Sequence, residues 1–138
     1  MTRRTFEDAG IRPGMRILEL GSGAGDVAML LAEMVGPYGS VVACELDPGA
    51  IDFARDRIAA AGIRNVTFLH VDASQPLPAS LREIPFDAVV GRAVLLYLSD
   101  PAAALSNAAE LLRPEGALSL SSNLGYPCRP ARRVRCEK

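Results

Sequence analysis

Apolar residues fall along this chain in two alternating spacings. Short, nearly unbroken runs occur at Arg16-Ile17-Leu18-Glu19-Leu20, Val41-Val42-Ala43-Cys44, Val66-Thr67-Phe68-Leu69, Phe86-Asp87-Ala88-Val89-Val90 and Ala117-Leu118-Ser119-Leu120, and each predicts a strand. Between them the apolar positions space out to one face of a helix. Asp26 to Val35 carries Val27, Leu30, Leu31 and Met34. Gly36-Pro37 ends that helix, because glycine accepts the left-handed cap and proline cannot continue. Asp47 is the predicted cap of a second helix, with Pro48 at its first position. Its predicted inner face is Ile51, Ala54, Ile58 and Ala61, and Gly62 ends it. Asp100-Pro101 repeats the device ahead of a third helix with predicted inner face Leu105, Ala108 and Leu112. Arg113-Pro114-Glu115-Gly116 breaks that helix before the fifth strand.

Strands apolar on both faces, alternating with amphipathic helices, predict an α/β fold with a doubly wound, mainly parallel, Rossmann-like sheet. In such sheets ligands bind beyond the carboxyl ends of the strands, near the reversal of strand order. The residues directly after each strand are therefore the candidates for function. A chain of 138 residues fits one domain, expected over 1–122. Residues 123–138 hold two prolines, Arg129, Arg132, Arg133 and Arg135 without periodicity, and read as a basic, disordered tail.

Composition adds exclusions. The net charge of -1 gives the chain no overall attraction to nucleic acid or an acidic membrane. No apolar run is long enough to span a bilayer, and Met1 to Glu7 lacks the core of a secretion signal, so the expected location is the cytoplasm. The three cysteines suggest no disulfide framework, and Cys44 reads as a small buried strand residue. With one histidine in the chain, no zinc site is expected.

The richest chemistry follows the first strand, in Glu19-Leu20-Gly21-Ser22-Gly23-Ala24-Gly25. Such a turn lets backbone pass close to a ligand, and the following helix points its amides there. An acid, Glu45, stands at the end of the next strand, where a carboxylate can accept both hydroxyl protons of a ribose. The third glycine comes one residue too early for a dinucleotide turn, and Glu19 would repel a pyrophosphate. Both disfavour a nicotinamide-dependent oxidoreductase. A ligand carrying an ammonium and a sulfonium suits the acid better.

On these residues the segment Met15 to Ser122 resembles the class I S-adenosylmethionine-dependent methyltransferases, and looks closest to the group acting on small molecules. The E-x-G-x-G-x-G turn is similar to their first motif and Val42 to Pro48 to their second. His70-Val71-Asp72-Ala73 is similar to the third, and Phe86 to Arg92 to the fourth. Leu111 to Gly116 resembles their turn before strand five, with Glu115 where the family usually has glycine. The resemblance implies S-adenosylmethionine as cofactor and assigns roles. Glu19 would meet the methionine ammonium, while Gly21, Gly23 and Gly25 would bring backbone to the ligand. Glu45 would hold the ribose, Leu46 would pack on adenine, and Asp72 with Ala73 would meet the adenine amino group. The backbone at Gly91 and Arg92 would close the methionine end.

Plainer roles compete at several positions. Capping explains Asp47, the helix dipole explains Asp26, and Asp72 could merely start a turn. His70 reads as structural rather than as a base, and Tyr97, in an expected helix with Leu95, Leu96 and Leu98, reads as packing. No catalytic residue is assigned. The fourth strand is not followed by the Asn/Asp-Pro-Pro-Tyr/Phe loop of nucleic-acid amino-methylating relatives, which disfavours a nucleic-acid acceptor. The resemblance stops after strand five, so the expectation is a core without the family's closing hairpin. That leaves an inactive cofactor-binding remnant as the alternative to an enzyme. A fifth strand left at the edge would invite a second copy of the chain.

Overall fold

The computed structural model describes residues 3–92 and 98–121, with the backbone alone at Arg92 and Ser121. The elements run α1 (Arg3–Asp8), β1 (Arg16–Leu20), α2 (Asp26–Val35), β2 (Ser40–Glu45), α3 (Pro48–Ala60), β3 (Val66–His70), β4 (Phe86–Arg92), α4 (Pro101–Ala109) and β5 (Leu112–Ser121), with a 3-10 turn at Ala79–Arg82. The five strands form one sheet in the order β3-β2-β1-β4-β5. Every pairing is parallel, with Leu18 level with Val42 on one side and Val89 on the other. The doubly wound α/β reading holds. Strand order reverses between β1 and β4, so the carboxyl end of β1 faces the crevice where such folds bind ligands.

Alternation along each strand sends side chains to two cores. Leu18, Leu20, Val42, Phe86 and Val89 pack with Ala104, Ala108 and Leu111 on one face. Ile17, Val41, Ala88 and Val90 pack with Phe6, Val27, Leu31 and Val35 on the other. There Ala43 and Phe68 also meet Ile51, Ala54 and Ile58 of α3. Phe6 is fully buried, so the short α1 is seated on the sheet by one aromatic anchor.

Both predicted aspartate caps form. Asp47 accepts the Gly49 N–H at 2.9 Å and Asp100 accepts the Ala103 N–H at 3.0 Å. The inner faces need correction. Helix α3 ends at Ala60, which leaves Ala61 exposed beyond the packed face. Helix α4 ends at Ala109, so Leu112 belongs to β5, and the buried residues are Ala104, Ala108 and then Leu111. Leu105 is only half-buried, because the small Ala104 and Ala108 let the helix sit close to the sheet.

The expected break at 113–116 instead bulges out of β5. Phe86 pairs with Leu112 and Ala88 with Ala117, so most of the segment opposes a single step of β4. Asp87 pins this corner: it accepts the Arg16 N–H at 2.8 Å and pairs with Arg113 at 2.7 Å. Glu115 holds φ at 65° inside the bulge, a left-handed conformation that suits glycine. Tyr97, Leu95, Leu96 and the 123–138 tail lie outside the described residues.

Candidate functional site

The turn after β1 folds onto the end of β2. The Gly21 and Ser22 N–H groups donate to the Cys44 carbonyl at 2.8 and 3.1 Å. Gly25 then takes φ of 90° ahead of α2, where a Cβ would stand 3.0 Å from the Ala54 Cβ of α3. That glycine therefore serves the close approach of two helices as well as the turn. Arg57 of α3 ties the two together, donating to the Ala24 carbonyl at 2.8 Å and pairing with Asp26 at 2.7 Å. Asp26 sits in the first turn of α2, where a negative charge also complements the helix dipole.

Glu45 ends β2 beside this turn. One carboxylate oxygen accepts the Gly23 N–H at 3.0 Å and the other accepts the Leu46 N–H at 2.8 Å. Two backbone donors fix the carboxylate's orientation, and each oxygen keeps acceptor capacity for further hydroxyls. Across from it, Asp72 accepts the Ser74 N–H at 2.9 Å, so the plainer turn role and a ligand role coexist. Between them lies a cavity of about 330 Å³, walled by Gly21, Glu45, Leu46, Asp47, Asp72 and Ala73 and by Cys44, Val71, Leu98 and Ser99. Its size is that of a small-ligand site. A wider cleft of about 910 Å³ lies elsewhere, between Met29–Pro37 and Gly62–Asn65, away from the carboxyl ends of the strands.

The fold thus brings Gly21, Glu45, Leu46, Asp72 and Ala73 to one cavity, with Gly23 joined to it through Glu45. Glu19, Gly25 and Gly91 do not wall it, and the Arg92 side chain lies outside the described residues. Sequence reasoning missed Val71, Leu98 and Ser99. It also missed Asn107 of α4, which donates to the Ala73 and Gln75 carbonyls at 3.2 and 2.9 Å and so braces the Asp72 loop. Its one signal was an asparagine in the middle of a helix, where its short amide is disfavoured unless it finds a partner. His70 does not wall the cavity either. Its Nε2 lies 2.8 Å from the Leu46 carbonyl and donates to it.

Glu19 is 1% exposed, and burial, with the Glu45 charge second, pushes its carboxyl up from 4.5 to about 8. Its Oε2 finds no hydrogen-bond partner among the described residues, nor does the buried Ser22 hydroxyl. Burial, with Glu19 second, pushes the Cys44 thiol up to about 12, which leaves it an inert packing residue. Among the described residues no three His, Cys, Asp or Glu side chains are grouped to hold a metal.

The model of a family described as a methyltransferase domain matches residues 11–124. The chain belongs to the class I S-adenosylmethionine-dependent methyltransferases. It is similar to the ubiquinone/menaquinone biosynthesis C-methyltransferase UbiE of Ectopseudomonas mendocina, with 34% identity over 84% of this chain and 44% of that protein. It is 32% identical to the aklanonic acid methyltransferase DauC of Streptomyces sp. strain C5, over 88% of this chain and 54% of that one. The chain therefore spans about half the length of these curated relatives. In fold it is similar to a SAM dependent methyltransferase from Aquifex aeolicus, with a TM-score of 0.75 and 24% identity over 85% of this chain and 61% of that one.

Membership implies S-adenosylmethionine as cofactor, and the residues present fit it. Glu19 offers a buried carboxyl oxygen without a partner among the described residues, which an ammonium would satisfy, and Glu45 offers an oriented carboxylate, which ribose hydroxyls would satisfy.

Proposed function

We propose that this chain binds S-adenosylmethionine in the cavity at the carboxyl ends of β1, β2 and β3 and transfers its methyl group to a small-molecule acceptor. The observation that carries the reading is the Glu45 carboxylate, oriented by the Gly23 and Leu46 amides at the mouth of a cavity with Asp72 on its other wall. Glu45 accepts from the two ribose hydroxyls. Leu46, 58% exposed, supplies an apolar surface for the adenine. Asp72 accepts from the adenine amino group with Ala73 beside it, and Glu19 pairs with the ammonium. Gly21 and Gly23 bring backbone close, Gly25 shapes the turn, and the backbone at Gly91 and Arg92 closes the methionine end.

When bound, the cofactor supplies a methyl group on a positive sulfur, ready for in-line displacement. The protein's task is to hold the reacting atoms in line and to keep water out. No side chain of the described residues is assigned as a base, and none is obligatory for an acceptor that arrives ionised.

The names of the curated relatives, an aklanonic acid and a ubiquinone/menaquinone biosynthesis methyltransferase, support a small-molecule acceptor. No helix of the described residues is long and apolar enough to cross a membrane. β5 stands at one edge of the described sheet, and pairing of two copies there would make a homo-oligomer.

Calorimetric titration with S-adenosylmethionine tests the reading. Wild-type chain is expected to bind one equivalent, and Glu45→Ala to lose at least tenfold in affinity, since two charge-assisted hydrogen bonds disappear. Equal binding by Glu45→Ala would remove the ribose assignment.

A further inference from the structure

We propose that His70 is a positioning residue for the cofactor cavity, holding the Glu45–Asp47 loop in its binding shape through a hydrogen bond to the Leu46 carbonyl. The inference rests on the cofactor reading above and extends it to a residue outside the cavity wall.

The register sets the geometry. Glu45 and His70 are the last paired residues of β2 and β3. Beyond them the ladder gains one more bond, from the Val71 N–H to the Glu45 carbonyl at 3.2 Å, and the two chains part. The β2 chain must then turn from strand to helix within two residues, since Pro48 already begins α3. Leu46 sits in that turn with its side chain 58% exposed. Its peptide groups do the anchoring. The Leu46 N–H donates to Glu45 at 2.8 Å, and its carbonyl accepts from His70 Nε2 at 2.8 Å. Removing the second bond loosens the peptide unit that follows Leu46, and with it the Leu46 N–H that holds one oxygen of the Glu45 carboxylate, the other staying on the Gly23 N–H. The contact also selects the imidazole form with the proton on Nε2, since an unprotonated Nε2 would face a carbonyl lone pair.

Met and Gln are unbranched side chains of similar reach, and only Gln can donate to the carbonyl. The test therefore compares His70→Met with His70→Gln, measuring S-adenosylhomocysteine affinity by calorimetry and stability by urea unfolding. One exposed neutral hydrogen bond is worth about a threefold to tenfold change in affinity. His70→Met is expected to bind about threefold to tenfold more weakly than wild type, to unfold cooperatively, and to lose in urea no more stability than one exposed hydrogen bond supplies. His70→Gln is expected to recover most of that loss. Equal affinity of the Met and Gln variants, with wild type binding normally, overturns the positioning role and leaves the cofactor site standing. Failure of the wild-type chain to bind overturns both.

A second readout needs no variant. His70 is the sole histidine of the chain, so its imidazole nitrogen resonances identify themselves. The Nε2-protonated form and a shift on saturation with S-adenosylhomocysteine are expected. Resonances unmoved by saturating ligand would count against the proposal even if neither variant folds.

Discussion

Replacing Glu19 with glutamine should make the ligand-free protein gain stability relative to wild type as pH rises. The carboxyl is 1% exposed and its pKa rises from 4.5 to about 8, chiefly through burial. Below pH 4.5 both folded and unfolded chains carry the proton, and the group costs nothing. Between 4.5 and about 8 the unfolded chain is ionised while the folded chain keeps its proton, so stability falls as pH rises. Above about 8 the folded chain holds a buried charge and the loss is complete. A shift from 4.5 to about 8 at about 1.36 kcal/mol per unit sets a ceiling of about 5 kcal/mol. Water penetration and relaxation around the charge bring the expected effect to roughly 2–4 kcal/mol. Glu19→Gln cannot titrate, and any fixed cost of burying its amide is the same at every pH. Urea unfolding of both proteins at pH 5, 7 and 9 is the assay. The stability of the variant relative to wild type should rise by a few kcal/mol from pH 5 to pH 9. A difference that stays constant over that range would mean that folding does not raise the Glu19 pKa.

Three further outcomes are expected. Glu115→Gly should raise stability by about 0.5–1 kcal/mol, because glycine accepts φ of 65° without strain and nothing buried is lost; a urea midpoint checks it. Gly39→Ala should destabilise by about 3 kcal/mol in the same assay, because its Cβ would fall 2.6 Å from the Val35 carbonyl oxygen and 2.7 Å from that of Met15. S-Adenosylhomocysteine should bind with release of nearly one proton at pH 7, since its ammonium favours the ionised form of a carboxyl that otherwise titrates near 8. Calorimetry in buffers of different ionisation heat counts that proton, and Glu19→Gln should abolish the release.

What could be read from the chain was local. The strand runs, the two Asp-Pro caps and the glycine turn are written within a few consecutive residues, and the helix bounds Asp26–Val35 match their stop signal at Gly36-Pro37. That Glu45 and Asp72 come to one cavity was legible because Glu45 ends β2 and Asp72 lies two residues past β3, at the end of the sheet where this architecture places ligands. The misreadings arise where a distant partner decides. Helical spacing alone made Leu105 and Leu112 core residues, but the sheet receives Ala104 and Ala108, and Leu112 is claimed by pairing with Phe86. The bulge at 113–116 is held by Asp87, some 26 residues earlier in the case of Arg113, and no local pattern announces it. Asn107 reaches loop carbonyls more than thirty residues away, which periodicity cannot show.

Thermal unfolding with S-adenosylhomocysteine, with NAD for comparison, tests whether this cavity is an S-adenosylmethionine site. At about a hundred times its dissociation constant the ligand should stabilise the fold by roughly 2.7 kcal/mol. Tm is expected to rise with S-adenosylhomocysteine and not with NAD, and in Glu45→Ala, after a loss of tenfold or more in affinity, the stabilisation should fall to about 1.4 kcal/mol or less at the same ligand concentration. A cooperatively unfolding protein whose Tm ignores S-adenosylhomocysteine, or responds equally to NAD, would contradict the assignment.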